Sequence, residues 1–304
     1  MNNSFKSQIN KILILGHTCF IGKHLESYLK KKCPEIGIIG KSTKDIDLTR
    51  KEKVETLADI INQNTIVIML SFNAKQSGAG FGDFNQNIKM TQNLCSLMEK
   101  NAPARFIFFS SQAVYGEENH NPNITESTAV NPTSFYGMAK YISEKLFWKT
   151  FQSLKDSSLL AVRMPRIIGS GDNYNNYGPT MFTYKAFCNE TISIWGDGLE
   201  LRDYVYIDDL TDIVEKLVFS KYHGVINIAS GKTYSFLDIY KEVESVFGRK
   251  LKVKHLTRTG PKVDHIFNTK ILKEVIGNYN FTPLKESIYI YSKYLNKNSA
   301  DILH

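Results

Sequence analysis

The feature that most constrains the fold of this chain is a set of short apolar runs, each typical of a strand buried on both faces. They cover residues 11–15 (KILIL), 36–39 (IGII), 65–70 (TIVIML), 105–109 (RFIFF) and 158–163 (SLLAVR). Between the runs, apolar residues recur at helical spacing, as Ile21, Leu25 and Leu29 do. Strands of this kind that alternate with helices indicate a parallel sheet with right-handed crossovers. The sequence therefore predicts an α/β fold with a doubly wound parallel sheet.

The second half of the chain has a less regular pattern. Gly, Asn, Tyr and Pro crowd residues 170–180, and residues 202–219 read as a strand that runs into a helix. We expect a first domain over 1–165 and a smaller C-terminal α/β lobe over 166–304, interleaved with returns to the main sheet.

Charge and composition narrow the class of partner. The net charge is +8, but the basic residues are scattered, and the one tight run, 30–32, falls at the end of a predicted helix, where cations complement the helix dipole. This distribution favours anionic small substrates such as diphosphates over nucleic acid. No stretch approaches the roughly 20 apolar residues that span a bilayer, and MNNSFKSQIN lacks the apolar core of a secretory signal. We expect a cytoplasmic protein with no membrane partner.

The cysteines give no sign of a metal site or of disulfide bonds. All four (Cys19, Cys33, Cys95 and Cys188) are widely spaced, and no CxxC pair occurs. The prediction is a protein without a bound metal, whose cysteines stay reduced in the cytoplasm.

The segment KILILGHTCFIGKHL raises the first functional question. A strand, a turn between Gly16 and Gly22 and then a helix would aim backbone N–H groups and a helix dipole at an anion. Cys19 stands midway, where a third glycine might be expected. Taken alone, the segment fits a phosphate-binding loop and an unliganded βα turn equally well, and a helix N-terminus could also make Cys19 a reactive thiol.

Two later stretches supply candidates for acid–base chemistry. FIFFSSQAVYGE (106–117) places Ser111 at the carboxyl end of a predicted strand, where open α/β sheets bind ligands. FYGMAKYISEKL (135–146) places Tyr136 and Lys140 four residues apart, on one face of a helix. A phenol has an ordinary pKa of about 10, and a nearby lysine cation favours the phenolate. Beside a dinucleotide-like loop, these three residues form a catalytic constellation.

At this point the chain resembles the extended short-chain dehydrogenase/reductases, specifically the NAD-dependent epimerase/dehydratase group that acts on nucleotide sugars. The resemblance runs from about Lys11 to about Tyr294. It rests on the glycine loop, on Asn87 in NIKMTQNL, on SSQAVYG, on the Tyr136-x-x-x-Lys140 pair and on IWGDGLELRDYVYIDD (194–209). It implies a Rossmann-type dinucleotide-binding domain, and it makes the loop a working cofactor site. The residues that it implies for cofactor binding are Gly16, Cys19, Phe20, Ile21, Gly22, Lys41, Asn87, Tyr136 and Lys140.

The resemblance also implies roles in the reaction. Tyr136 exchanges a proton with a sugar hydroxyl or ketone, Lys140 lowers the tyrosine pKa and holds the nicotinamide ribose, and Ser111 hydrogen-bonds the substrate oxygen. Gln112, Arg166 and Arg202 are the residues expected to bind substrate. Arg166 departs from the family, since many relatives carry asparagine there, and its extra cation could bind a diphosphate or a second anionic group or simply be paired. Arg202 matches an arginine that contacts the nucleotide diphosphate in the family, although a salt bridge with an aspartate of the same block is the alternative. Residues 170–180 are expected to form the rim of the sugar pocket.

Departures from the family pattern limit the reaction. The 4,6-dehydratases carry an Asp-Glu pair where this chain has Gln112-Ala113, and GDP-fucose synthases carry a Cys at position 112 and a further His. Water elimination and epimerisation at C3 and C5 are therefore disfavoured. The leading hypothesis is a 4-dehydrogenase or 4-ketoreductase, with a nucleotide-sugar 4-epimerase as the alternative. A non-catalytic dinucleotide-binding or RNA-associated protein is a hypothesis of another class.

The sequence constrains the choice of cofactor and the oligomeric state less strongly. Gly40 stands where NAD-specific sites have an acid, and Lys41 and Ser42 could accommodate a 2′-phosphate, which favours NADP slightly. Asp45 and Asp47 follow closely, so NAD stays open. The resemblance implies a homodimer through a four-helix bundle formed by helices at about 86–100 and 134–152, and a role in polysaccharide biosynthesis.

Overall fold

The computed structural model describes residues 3–73, 80–172 and 178–299. The strands in these ranges are β1 (Lys11–Leu15), β2 (Gly37–Lys41), β3 (Thr65–Met69), β4 (Arg105–Phe109), β5 (Asn121–Ile124), β6 (Ser158–Arg163), β7 (Arg166–Ile168), β8 (Ile192–Trp195), β9 (Leu201–Tyr206), β10 (Gly224–Asn227), β11 (Thr233–Ser235), β12 (Val253–Leu256) and β13 (His265–Phe267). The helices are α1 (Asn3–Gln8), α2 (Phe20–Lys32), α3 (Lys51–Glu55), α4 (Phe81–Met98), α5 (Phe135–Phe151), α6 (Pro179–Phe187), α7 (Ile207–Val218), α8 (Phe236–Phe247), α9 (Lys270–Ile276) and α10 (Leu284–Lys297). Short 3₁₀ helices cover Thr56–Asp59 and Gln112–Tyr115. None of the helices in the described ranges is long and apolar enough to cross a membrane.

The centre of the molecule is a six-stranded parallel sheet in the order β10-β6-β4-β3-β1-β2. Every residue of β3 and β4 is buried, as the continuous apolar runs predicted. The prediction of a doubly wound α/β sheet is confirmed. Only β2 differs noticeably, since it covers Gly37–Lys41 rather than 36–39, because its pairing with β1 continues to the Leu15–Lys41 step.

Helices cover both faces of this sheet and create two apolar layers. On one face, α2 and α7 pack against the sheet through residues such as Leu25, Leu29 and Ile213. On the other, α4 and α5 pack together, with Leu94 and Phe147 in the core. Coverage of both faces explains why the central strands can be apolar throughout.

The helices α4 and α5 correspond to those through which the resemblance implies a homodimer. Their outer surfaces differ in character. Phe135, Met138, Ile142 and Trp148 of α5 are exposed apolar residues. The exposed positions of α4 are mostly polar, for example Lys89 and Gln92.

The second half of the chain builds smaller sheets beside the first. They are β11-β9-β7, β12-β8 and β13-β5, with α6, α8 and α10 packed around them. The predicted strand-to-helix passage over 202–219 is confirmed as β9 followed directly by α7. The chain also returns to the main sheet, because β10 pairs with β6.

This topology places the functional segments at one edge. The carboxyl ends of β1, β3 and β4 lie side by side, and β1 has β2 on one flank and β3 on the other. Crossovers leave that point in opposite directions, which opens a crevice where ligands bind in sheets of this kind. The glycine loop follows β1, and Ser111 follows β4.

Candidate active site

The glycine loop has the geometry of a close βα turn. Gly16 has φ +92°, and a Cβ there would lie 2.7 Å from the Ser71 nitrogen. A Cβ on Gly22 would lie 2.4 Å from the Gly16 carbonyl oxygen. Both positions therefore need glycine, the first for its backbone conformation and the second for the close packing of α2 on the loop.

Cys19 does not need to be glycine in this fold. Its φ of −69° is ordinary for any residue, and it serves as the N-cap of α2, with Sγ accepting from the Gly22 N–H at 3.3 Å. The thiol reaches solvent, yet the protein around it reduces its hydration and raises its pKa, against hydrogen bonds from the Gly22 and Ile21 backbone. A raised pKa keeps the thiol protonated at neutral pH, which argues against a reactive thiolate.

A cavity of about 510 Å³ opens directly over this loop, and we refer to it as the loop cavity. Residues that line it include Gly16, Cys19, Lys41, Ser42, Asp47 and Phe72. A helix N-terminus at one end and polar side chains near β2 fit a dinucleotide, whose pyrophosphate needs N–H donors and whose ribose needs polar partners. The site thus fits the cofactor that the sequence predicted.

The other expected cofactor residues take supporting positions. Phe20 and Ile21 form the first turn of α2, outside the described lining of the loop cavity. Asn87 is fully buried, accepts from the Asn73 N–H at 2.7 Å and donates to the Asn73 carbonyl at 3.0 Å. It therefore fixes the segment after β3, which carries Phe72 and Asn73 into the cavity wall. Sequence reasoning missed those two residues, although their place at a strand end was a usable signal.

The three predicted catalytic residues converge beside the loop cavity. Lys140 is buried, and its Nζ donates to the Phe109 carbonyl oxygen at 2.5 Å and lies 3.8 Å from the centroid of the Phe72 ring. The same nitrogen is 5.7 Å from the Tyr136 ring centroid. Ser111 caps the 3₁₀ helix that begins at Gln112, its Oγ accepting from the Ala113 N–H at 3.2 Å. The Ser111 hydroxyl hydrogen-bonds the Tyr136 phenol, and the Lys140 ammonium group lies near the same ring.

The helix that carries Tyr136 and Lys140 is positioned by two local features. Ser134 caps α5, with its hydroxyl accepting from the Gly137 N–H at 3.1 Å. A Cβ on Gly137 would lie 2.6 Å from the Ala113 carbonyl oxygen, so glycine lets the helix approach the segment after Ser111. Cap and glycine together bring Tyr136 to Ser111.

Burial controls the protonation of both groups. It raises the pKa of Tyr136 to about 12, against a hydrogen bond with Ser111 that lowers it. Burial lowers the pKa of Lys140 to about 7, against the Glu144 carboxylate, which raises it. The lowered tyrosine pKa that the resemblance implies is thus opposed here by loss of hydration of the phenol. The Lys140 ammonium group instead contacts the Phe109 carbonyl oxygen and the Phe72 ring.

A buried ionic network supports the site from below, and sequence reasoning missed it. Glu144 lies one turn after Lys140 and accepts from Arg163 Nε at 2.9 Å and Nη2 at 2.6 Å. It also accepts from the Ser110 hydroxyl. The Arg163 guanidinium lies 4.9 Å from the Tyr115 ring centroid. Helical spacing predicts that Glu144 lies one turn from Lys140. Its partner Arg163 lies on β6, and only the tertiary structure brings the two together.

A second cavity of about 490 Å³, which we call the arginine cavity, lies in the C-terminal half. Both predicted substrate arginines line it, and Lys185 and Arg258 join them. Arg202 is held by Glu200 at 3.5 Å and donates to the carbonyl oxygens of Leu201, at 2.9 Å, and of Val263. This cluster of four cationic side chains suits the binding of a diphosphate.

The alternative prediction for Arg202 was a salt bridge with an aspartate of the same block, and the structure shows a different partner. The carboxylate beside Arg202 is Glu200, which also pairs with Arg258 at 3.1 Å. Asp203 instead accepts from the Ser230 hydroxyl at 2.7 Å and the Gly231 N–H at 2.8 Å. Adjacent residues of β9 point to opposite faces, so Asp203 is directed away from its neighbour Arg202.

Two further expectations, on Gln112 and on the pocket rim, have less support from the geometry. Gln112 begins the 3₁₀ helix after Ser111 but is outside the described lining of both cavities. Of the predicted pocket rim at 170–180, residues 173–177 lie outside the described part of the chain. Within that part, His, Cys, Asp and Glu side chains form no group of three or more that could hold a metal ion.

Comparison with known proteins identifies the family of this chain. A family model described as "NAD dependent epimerase/dehydratase family" matches residues 12–229. GDP-6-deoxy-D-talose 4-dehydrogenase of Aggregatibacter actinomycetemcomitans is 25% identical over 285 residues, 90% of this chain and 94% of that protein.

Solved structures share the architecture at lower identity. UDP-glucose 4-epimerase of Thermotoga maritima, solved with UDP-glucose, has a TM-score of 0.82 at 22% identity and covers 95% of this chain and 99% of its own. dTDP-glucose 4,6-dehydratase of Bacillus anthracis, solved in complex with NAD, has a TM-score of 0.82 at 15% identity, with coverages of 96% and 98%. The names describe three different reactions, so the activity has to be argued from the site.

Proposed function

Because this chain belongs to the NAD-dependent epimerase/dehydratase family of nucleotide-sugar enzymes, we propose that it moves a hydride at one carbon, C4, of a nucleotide-diphosphate sugar, as a 4-dehydrogenase or 4-ketoreductase. The observation that carries the proposal is the convergence of Ser111, Tyr136 and Lys140 beside the loop cavity. These three residues can transfer one proton to or from one oxygen of the substrate.

The dinucleotide, when bound in the loop cavity, supplies the hydride acceptor or donor. Tyr136 Oη takes the hydroxyl proton during oxidation and returns it during reduction. The Ser111 hydroxyl hydrogen-bonds the same substrate oxygen and orients it toward the phenol. The hydrogen bond with Ser111 favours the phenolate, and Lys140 holds the nicotinamide ribose. Arg166, Arg202 and Arg258 hold the diphosphate in the arginine cavity.

The residues next to Ser111 support redox at a single carbon. Gln112 and Ala113 follow it, and neither side chain can transfer a proton. Elimination of water needs a second acid–base pair, as does epimerisation beside the carbonyl. Tyr136 therefore serves as the acid and base for one oxygen only.

A second candidate, 4-epimerisation with retained NAD, uses the same three residues. It is favoured by the similarity to a UDP-glucose 4-epimerase over nearly the whole chain. The two activities differ in whether the oxidised sugar rotates within the site, so that the hydride returns to its opposite face.

The test is Tyr136→Phe, assayed with a panel of UDP-, GDP- and dTDP-sugars and their 4-keto forms. We expect turnover to fall by about 10²–10⁴-fold, the usual contribution of a general acid–base group, while dinucleotide binding is retained. Tyr141→Phe, on the same helix and also partly buried, is the matched control. Net formation or consumption of NAD(P)H indicates a dehydrogenase or reductase, and a C4-epimeric product without net cofactor change indicates the epimerase. Near-normal activity of Tyr136→Phe would refute both.

A further inference from the structure

The ring of Phe72 contacts the predicted catalytic lysine and also forms part of the loop cavity. Phe72 lines that cavity, whereas Lys140 is outside its described lining. The Lys140 Nζ lies over the ring, 3.8 Å from its centroid. Phe72 is thus a wall of the cavity and the nearest ring to the ammonium group.

Aromatic rings supply most of the direct contacts of this ammonium group. Its Nζ lies 4.9 Å from the centroid of Phe108 and 5.7 Å from that of Tyr136, and it donates to the Phe109 carbonyl oxygen. Glu144 raises the pKa of the lysine through its charge, but its carboxylate is paired with Arg163 at 2.6 Å. The buried cation therefore relies on the rings and on one carbonyl oxygen.

The orientation of Phe72 is itself fixed by its neighbours. Its ring meets that of Tyr136 edge-on, with the centroids 5.8 Å apart and the planes at 87°, and lies 6.1 Å from that of Phe108. The backbone after it is held by Asn87, which accepts from the Asn73 N–H at 2.7 Å. One fixed ring thus contacts both the phenol ring and the ammonium group of the site.

We propose that Phe72 is a positioning residue, whose ring holds the Lys140 ammonium group beside Tyr136 by a cation–π contact. An aromatic ring attracts an ammonium group through its quadrupole but has no such attraction for the neutral amine. Burial disfavours the charged form of this lysine, and the ring offsets part of that effect. The proposal rests on the proposed function, since it assumes that Lys140 acts with Tyr136 in the reaction.

The contribution of the ring depends on the charge of the lysine. A cation–π contact with a largely dehydrated cation corresponds to about a 5–30-fold factor in an equilibrium constant. Burial lowers the pKa of Lys140 to about 7, so its charge is lost as the pH rises through this value. The contact should therefore contribute at pH 6 and not at pH 9, whereas apolar packing contributes equally at both.

The first experiment is a double-mutant cycle of Phe72→Leu and Lys140→Met, measured by urea denaturation at pH 6 and pH 9. We expect the coupling to change the unfolding equilibrium constant by about 5–30-fold at pH 6 and by less than about twofold at pH 9. The other titratable groups that act on Lys140 are Glu144 and Cys19, which all four proteins keep, so their effects cancel in the coupling. Tyr136, with a pKa of about 12, does not titrate in this range.

Phe147→Leu, combined with Lys140→Met, is the matched control. Phe147 is a buried phenylalanine two turns after Lys140 in α5, and its ring centroid lies 5.2 Å from that of Phe108. Its coupling with Lys140 should be the same at both pH values. Phe72→Met removes the ring in a second way, so a folding defect of Phe72→Leu does not decide the result.

The second experiment measures turnover of the nucleotide sugar at saturating dinucleotide. We expect Phe72→Leu to lower kcat by about tenfold. Phe72→Tyr, which keeps the ring, should stay within about threefold of wild type.

Three results would overturn the positioning role and leave the proposed function standing. They are a coupling that is equal at both pH values, a turnover that loss of the ring leaves unchanged, and a loss of turnover that Phe72→Tyr shares. The cycle is measured without substrate, so near-normal activity of Tyr136→Phe would overturn the proposed function while the contact between Phe72 and Lys140 stands.

Discussion

Replacement of Lys140 by methionine tests most directly whether burial lowers the pKa of this lysine. Burial lowers the pKa of Lys140 from its ordinary 10.5 to about 7. Between those values the folded protein carries fewer protons than the unfolded chain, so the stability contributed by this group rises with pH. Lys140 thus costs most stability at and below pH 7, and the cost disappears as the pH approaches 10.5.

The magnitude follows from the two pKa values. One pKa unit corresponds to about 1.4 kcal/mol, so proton linkage makes the buried lysine cost about 4 kcal/mol at pH 7 and about 2 kcal/mol at pH 9. Methionine has a similar length and no charge, and the Lys140→Met protein is free of this dependence. The stability of wild type relative to the variant should therefore rise by about 2 kcal/mol between the two pH values.

The assay is urea denaturation of wild type and Lys140→Met at pH 7 and pH 9, followed by circular dichroism. Groups that titrate in both proteins cancel in the comparison. Lys145→Met is the matched control, because Lys145 is an exposed lysine of the same helix, and its difference from wild type should not change with pH. If the Lys140→Met difference is also the same at both pH values to within about 0.5 kcal/mol, Lys140 keeps its ordinary pKa and the reasoning from burial is refuted.

Two further predictions concern the support of the site and the substrate. Glu144→Gln leaves the Arg163 guanidinium buried without a counter-ion, so the protein should lose about 3–5 kcal/mol of stability. Calorimetry should show a Tm lower by roughly 6–10 °C, whereas Glu274→Gln, which breaks an exposed pair with Lys270, should stay within about 1 °C; equal shifts would contradict a structural role for the buried pair. Arg202→Met should raise the KM for the nucleotide sugar by about 10–100-fold, the value of a charged hydrogen bond, with dinucleotide binding unchanged. An unaltered KM would leave Arg202 with only the structural contacts that it makes to Glu200 and Val263.

Much of the site could be predicted because its signals are local. The apolar runs fix which segments are strands, since only a strand covered on both faces can be apolar throughout. Tyr136 and Lys140 share a helix face through their spacing alone. Gly16 and Gly22 are dictated by the backbone of a single turn, and that turn lies within a few residues of sequence.

Other features depend on residues that only the fold brings together, and no local pattern encodes them. The Glu144–Arg163 pair joins a helix to a strand 19 positions along the chain. Arg258 reaches the arginine cavity from a segment that carries no recognisable motif.

The end of β2 shows the division most clearly. The sequence alone determined that Gly40 replaces an acid and that Lys41, Ser42 and Asp45 follow, and from these residues NADP was slightly favoured. Only the tertiary structure decided that His17 fills the space at Gly40 and that Asp45 takes both donors of Ser42. The reason is physical: sequence states which charges are present, but the effect of a charge on a ligand depends on which donors it already occupies.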